Sequence, residues 1–386
     1  MPVTVSYPGV YIEETNNLSL SVGSSATSVP VFAVADSDAR VNGVVRIASW
    51  MDYQNLSGAY DRQNVLDICM RAYFLNGGGY CYLAPVSSLE REVPKLIDAT
   101  TLVAAGQDIS NAVALLCKNG ACLFAILDGP TYDLGAPAGE GPGEPPTDPD
   151  ELPVDPGQPP IDSGESVEAA LHSESLHYDV TPYAAVYYPW LEATWADIPV
   201  PPSAAMAGVY CKVDLTRGVW KAPANVTLQG GMLPQYPVTD DLQGRYSSGN
   251  GKTLNMIRVF NNGGTTVWGA RTCEDSDLWR YVSVRRLFNS AERDISEAMK
   301  SAMFEPNSQP TWELSRAAIT NYLYRLWQQG ALAGVTQDEA FFVQVGKGVT
   351  MTQTDIDLGK MIVKVGMAAV RPAEFIILQF TQDVAQ

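Results

Sequence analysis

Tyr246-Ser-Ser-Gly-Asn-Gly-Lys-Thr253 is the stretch of this chain that comes nearest to a catalytic motif. A phosphate-binding loop wraps phosphates in backbone N–H groups and sets its lysine on the outer phosphates, and it opens with a glycine after a buried strand. Here Tyr246 stands in the place of that glycine, and Asp240-Asp-Leu-Gln-Gly-Arg245 ahead of it does not read as a buried strand. The segment is therefore read as a flexible interdomain loop. His172 and His177 are the only histidines and fall in or beside a polar stretch, so a histidine triad or cage has no positioned base. Adjacent carboxylates, Glu13 with Glu14 and Asp240 with Asp241, would point to opposite faces of a strand and suit no shared acid–base site. The cysteines at 69, 81, 117, 122, 211 and 273 are scattered through apolar runs, and the Cys117-x4-Cys122 pair lacks partners for a zinc site. They read as reduced core thiols. No cofactor, no metal site and no enzymatic reaction follows from these residues.

What remains is architecture. At 386 residues, 46% hydrophobic and 18% charged, the chain has ordinary globular composition and is long enough for two or more domains. Its net charge of −18 is unevenly placed. Between Asn119 and Cys211 there are 15 carboxylates and no lysine or arginine, whereas residues 212–386 carry 18 basic against 17 acidic side chains. Inside the acidic zone, residues 135–164 are rich in Pro and Gly and free of aromatics, a composition that cannot bury enough surface to offset its ordering entropy. A solubilising surface insertion is the expectation there. The negative balance and the lack of a basic, aromatic stripe exclude nucleic-acid binding. The start of the chain has no signal-peptide pattern, and no window of about 20 apolar residues occurs, so synthesis in the cytoplasm and no membrane insertion are expected.

Hydrophobic periodicity predicts mixed α/β structure. Strands are expected at residues 29–35, 44–48, 80–86, 122–127 and 183–188, and helices at 65–75, 90–105 and 109–116. Further on, a strand is expected at 265–269 and helices at 284–303 and 311–329, closed by Pro306 and Gly330, with strands at 341–345, 361–367 and 375–381. Arg286, Arg293 and Lys300 recur every seventh residue along the first of these late helices. They form either a solvated face paired with Glu292, Asp294 and Glu297 or a basic line that meets an acidic partner.

Both chain ends carry apolar alternation. Val3, Val5 and Tyr7 fall on one side of an extended segment, Val10 and Ile12 resume the alternation after Pro8-Gly9, and Ile376, Leu378 and Phe380 share one face at the other end. Such strands either fold back into their own sheet or add to a neighbour's, and the second arrangement propagates head to tail without closing.

The segment from Val200 to Asn225, VPPSAAMAGVYCKVDLTRGVWKAPAN, resembles the signature of contractile-tail sheath proteins. The likeness continues in Tyr7-Pro-Gly-Val-Tyr-Ile-Glu-Glu14, Tyr73-Phe-Leu-Asn-Gly-Gly-Gly-Tyr-Cys-Tyr82, Ala125-Ile-Leu-Asp-Gly-Pro130, Ala185-Val-Tyr-Tyr-Pro-Trp190, Val267-Trp-Gly-Ala-Arg-Thr272, Val284-Arg-Arg-Leu-Phe288, Phe304-Glu-Pro-Asn307 and Pro372-Ala-Glu-Phe375. It is greatest to sheaths of extracellular contractile injection systems of the antifeeding-prophage and Photorhabdus virulence cassette type. The resemblance implies a multi-domain tail-sheath fold: an N-terminal arm (1–22), an outer α/β domain (23–245) carrying the 135–164 insertion, an inner polymerising domain (246–370) and a C-terminal arm strand (371–386). It implies arms shared between neighbouring subunits, and polymerisation as stacked rings around an inner tube. Baseplate and tail-terminator proteins are the further partners it implies, with cytoplasmic assembly, action in a released particle, and Arg286, Arg293 and Lys300 as the residues that could face the tube. A non-contracting tail-tube or shell subunit, and a cytoplasmic enzyme, are the competing classes.

Overall fold

The computed structural model describes residues 20–135, 178–260 and 264–374. It divides into two compact units, Ser25–Glu292 with Ala369–Gln386, and Met1–Ser24 with Arg293–Ala368.

The larger unit begins with β1 (Pro30–Val34), β2 (Val45–Ile47), α1 (Trp50–Ser57), α2 (Val65–Leu75) and β3 (Cys81–Pro85). It continues through β4 (Thr101–Val103), α3 (Ser110–Leu116), β5 (Phe124–Asp128), β6 (Ala184–Tyr188) and α4 (Pro202–Arg217). Then come β7 (Val226–Thr227), α5 (Asp240–Arg245), β8 (Asn255–Phe260), β9 (Gly264–Val267) and the start of α6 (Val282–Met299). The strands form one nine-stranded sheet in the order β2-β3-β1-β4-β5-β6-β8-β9-β7. From β3 to β8 the pairs are parallel, while β2, β9 and β7 add antiparallel edges.

Parallel strands covered on both faces read as unbroken apolar runs, and β1 (PVFAV) and β6 (AAVYY) are buried at every position. Alternate side chains then serve different cores: Phe32 and Val34 join the cluster under α2 and α4, and Val31 and Ala33 join the one beside α3. Asn64 caps α2 by accepting the Asp67 amide at 3.1 Å, and the helix ends at Asn76 ahead of Gly77, whose φ of 98° suits glycine.

Two expectations change here, and one strand is added. Residues 90–105 are not one helix: a single turn Leu89–Glu92 and a 3-10 turn at Val93–Lys95 give way to the central strand β4. Pro94 removes an amide the helix needs, and in the buried run Thr100-Thr-Leu-Val103 all but Leu102 are β-branched. The strand β8 had no counterpart in the sequence reading. Because β8 and β9 extend the large sheet, residues 246–292 belong with the larger unit, and the division falls at Glu292 instead of at the expected 245/246 boundary.

The smaller unit holds the end of α6, α7 (Gln309–Gln328), β10 (Phe341–Val345) and β11 (Val363–Met367). The helix α7 buries Ala318, Ile319, Tyr322, Leu323 and Leu326, which recur at the spacing of one helical face, while Trp312 and Trp327 are half-buried. Gly330 follows at φ 81°. The strands β10 and β11 pair antiparallel from Phe341 opposite Met367 to Val345 opposite Val363. A Cβ on Gly366 would sit 2.2 Å from the Phe342 ring that lies over it, so any larger residue there must displace that exposed ring.

Candidate assembly edges and the buried junction behind them

The helix α4 is made of small residues because it crosses α2 at close range. A Cβ on Gly208 would come within 2.4 Å of the Tyr73 carbonyl oxygen and 2.9 Å of the Asn76 Cβ, and Ala204, Ala205 and Ala207 beside it are buried. At its first turn, Asp128 at the end of β5 accepts the Ser203 amide at 2.7 Å, the Ser203 hydroxyl at 2.9 Å and the Gly106 amide at 2.8 Å. Burial pushes this carboxyl's pKa up, against the pull of those three donors. The Ser203 hydroxyl also accepts the Ala105 amide at 2.9 Å, which ties α4 to the end of β4. Further along, the hydroxyls of Tyr210 and Tyr187 meet at 2.9 Å. The helix stops at Gly218 (φ 87°), and the Trp220 ring packs where a side chain would stand.

One turn before that stop lies a buried charge cluster. Asp214 and Arg286 of α6, 5% and 3% side-chain exposed, bond at 2.6 Å and 3.0 Å. Thr27, just ahead of β1, donates its hydroxyl to Asp214 at 2.6 Å, and its carbonyl accepts from Arg286 at 3.0 Å. The guanidinium lies 4.5 Å from the centre of the Tyr210 ring. Burial would lower the Arg286 pKa, but Asp214 reverses this and holds it above the ordinary value. The signature helix, the Val284-Arg-Arg-Leu-Phe288 segment and the residues leading into β1 are thus joined at one point.

This placement corrects the reading of Arg286 as a residue that could face the tube, because its charge is spent inside the larger unit. Arg293, on the smaller unit, is half-exposed, and Lys300 is exposed and paired with Glu297. Of the acidic residues taken as their solvated partners, Glu292 bonds Arg285 at 2.9 Å, and Asp294 is buried and accepts the Tyr322 hydroxyl at 2.8 Å. The three basic residues therefore do not form one exposed line.

The loop after Tyr246 is built against phosphate. The helix α5 precedes it, and Tyr246 is buried. The Gly249 amide is taken by the Asp275 carboxylate at 2.9 Å, the Gly251 amide by the Cys273 carbonyl at 3.0 Å and the Lys252 amide by the Gly249 carbonyl at 3.2 Å. A carboxylate where an anion would lie repels it. A cleft of about 390 Å³ opens where the strand order reverses, between the ends of β1 and β4. Its lining includes Ser37, Asp38, Gln63, Asn64 and Gln107, and Asp38 is held by Arg40 at 2.6 Å. That set has amides and one neutralised carboxylate, with neither a nucleophile–base pair nor a free cation for phosphate. Among the described residues no three His, Cys, Asp or Glu side chains gather as a metal site, and no helix is long and apolar enough to cross a membrane.

The expected arm strands at Val3, Val5, Tyr7, Val10, Ile12, Ile376, Leu378 and Phe380 lie outside the described residues, as do His172 and His177. The points they leave from are described. Glu374, the last residue before the C-terminal stretch, is gripped by Arg271 at 3.1 Å and 2.5 Å and lies 3.4 Å from the Tyr281 hydroxyl. At the other end Val22 is buried and its carbonyl accepts a bond from Arg325 of α7. In the smaller unit, among the described residues, the outer edges of β10 and β11 have no strand partner. An open two-stranded ladder is marginal alone and is an acceptor for further strands.

The open edges of the β10–β11 ladder among the described residues fit a subunit whose sheet is extended by further strands. Residues 274–383 match the family model of the phage tail sheath C-terminal domain. The chain is 58% identical, with a TM-score of 0.84 over 99% of both chains, to the PVC sheath complex of an extracellular contractile injection system in its contracted state. It is 40% identical, with a TM-score of 0.74 over 98% of this chain and 100% of the other, to the contracted helical sheath of the anti-feeding prophage. A sheath tail protein from Desulfitobacterium hafniense, 9% identical with a TM-score of 0.58 over 94% of this chain and 100% of that one, shares the fold. Curated protein sequences return no match. The chain belongs to the tail sheath family, the sheath subunits of contractile injection systems.

Proposed function

We propose that this chain polymerises as stacked rings around an inner tube and contracts to drive that tube through a target cell envelope. The observation that carries the reading is the β10–β11 ladder, whose outer edges have no strand partner among the described residues, in a chain whose two ends both carry apolar strand sequence. Arms added to a neighbour's ladder connect subunits head to tail, and such links persist while the subunits reorient. The work comes from an extended lattice relaxing to a contracted one with more favourable contacts, a population shift that needs no nucleotide. The loop around Lys252, with its amides committed, agrees with that. Baseplate and terminator proteins bound the polymer, and of the seven-residue series only Arg293 and Lys300 remain as residues to meet the tube. The subunit assembles in the bacterial cytoplasm and acts in a released particle.

Electron microscopy of the purified protein tests this. Helical cylinders wide enough to enclose a tube are expected, whereas narrow tubes or small monodisperse particles would overturn the reading. Deleting residues 1–19, or 375–386, should leave a folded subunit that forms no cylinders, and long cylinders from either truncation would remove the shared-arm part of it.

A further inference from the structure

Packing accounts for most of α4 but not for its last turn. The helix starts beside Asp128 at the carboxyl end of β5, runs back along the sheet and ends next to Thr27, ahead of the amino end of β1. In that turn Leu215 is 88% exposed, more than any other large apolar side chain among the described residues of the larger unit. Lys212 and Arg217 are exposed as well and make no salt bridge. At 100° per residue these three side chains leave the helix in different directions, so its end is an apolar tip in a basic collar. Basic residues at a helix C-terminus answer the helix dipole, and one exposed leucine means little by itself. At the opposite edge of the same sheet, however, lies a cleft that matches this tip. The cleft between the ends of β1 and β4 is floored by Ala33, Val34, Leu66 and Ala105, all buried. The loops around it expose Asp36, Asp61 and Asp108, which accept hydrogen bonds from Ser87, Gln63 and Ser110 and make no salt bridge among the described residues. The basic side chains of these loops, Arg40 and Arg62, are already paired with Asp38 and Asp197.

We propose that this cleft takes the end of α4 from a second copy of the chain, with Leu215 on the apolar floor and Lys212 and Arg217 against the acidic loops around it. The proposal rests on the reading that subunits polymerise head to tail. Charge selects the occupant: the acidic rim calls for a basic partner, and this chain, acidic overall, presents one on α4. At about 390 Å³ the cleft has room to bury a branched side chain. The apolar anchor supplies the affinity, and the charges around it fix the register. The 16 residues of α4 set tip and cleft about 24 Å apart, at opposite edges of the sheet. Faces so placed cannot meet within one subunit or be exchanged by a pair, so each copy docks on the next and the contact propagates.

The experiment measures the critical concentration of the full-length chain for cylinder formation, by pelleting and electron microscopy, and the melting of subunits below that concentration. Leu215→Ala should raise the critical concentration about tenfold or more and leave subunit melting unchanged, because the anchor packs on another copy and not on its own chain. Reversing the collar with Lys212→Glu and Arg217→Glu should also raise it, as should reversing the rim with Asp61→Lys and Asp108→Lys. One chain that carries all four reversals should assemble close to native, since each copy then offers an acidic tip to a basic rim. A benzophenone side chain at position 215 gives the location directly. Irradiated cylinders should yield cross-linked dimers joined to residues 33–39, 61–66 or 105–108 of the other copy.

A native critical concentration in Leu215→Ala, or benzophenone adducts on any other stretch of the chain, would overturn the docking. So would a chain with all four reversals that assembles no better than either pair alone, because collar and rim would then act independently. A native chain that forms no cylinders at any concentration would overturn the head-to-tail reading itself, an outcome distinct from the others.

Discussion

Removing Arg286 should damage this subunit more than removing both members of its ion pair. In Arg286→Met the Asp214 carboxylate, 5% exposed, would keep only the Thr27 hydroxyl at 2.6 Å as a partner on this side of α4. An uncompensated buried charge costs about 3–5 kcal/mol, and the lost contact with the Tyr210 ring adds to that. In the double variant Asp214→Leu/Arg286→Met no charge remains buried. The Thr27 hydroxyl and carbonyl still lose their partners, at about 1–3 kcal/mol together. The double variant should thus be about 2 kcal/mol more stable than Arg286→Met alone, a coupling that a double-mutant cycle resolves. The assay is urea unfolding of the arm-truncated, unassembled subunit with near-ultraviolet circular dichroism, with Asp214→Leu completing the cycle. A single variant that costs less than about 1 kcal/mol, or a double variant that costs the sum of the singles, would refute the argument that the pair is desolvated and mutually dependent.

Gly208→Ala forces a methyl against the Tyr73 carbonyl at the crossing of α2 and α4 and should cost about 3 kcal/mol or more; a melting temperature within a degree of wild type would mean the helices part freely. Asp38 is held below the usual carboxylate range, chiefly by its hydrogen bonds to Arg40 and against a smaller upward push from burial. A depressed folded pKa stabilises fully above the unfolded value of about 3.9 and is lost as pH falls through the folded value. The stability difference between wild type and Asp38→Asn should therefore shrink below about pH 4, and a difference constant from pH 6 to pH 2 would contradict this. Replacing residues 136–164 by a short Gly/Ser linker should leave folding and cylinder formation intact, since closure entropy changes slowly with loop length; insoluble subunit would show that the segment packs.

Local pattern was enough for much of the architecture. The strand at Pro30–Val34, the helix at Val65–Leu75 and the buried face of α7 were all legible, because the period of apolar residues is set by the geometry of the element that they occupy. The tail-sheath resemblance was likewise carried by short segments in order. Where two elements compete, the local pattern failed: residues 90–105 are rich enough in apolar side chains for a helix, but Pro94 and a place in the middle of a parallel sheet make β4 of them.

Arg286 shows what only the tertiary structure decided. Its seven-residue spacing with Arg293 and Lys300 is a property of the helix, whereas its partner Asp214 lies 72 positions away on another one, and no periodicity encodes which charge will be buried with which. The same holds for Arg325 and Val22, 303 positions apart, and for Arg271 and Glu374 at 103. A hint was present in Lys212-Val-Asp-Leu, where a carboxylate sits between apolar neighbours of a packed helix, but a hint of burial does not name a partner. The sequence by itself determined most of the elements and the faces they bury, since both depend largely on residues a few positions apart. The tertiary structure decided which charges meet and which arginines hold the chain at Val22 and Glu374, since those depend on contacts that exist only once distant elements have packed.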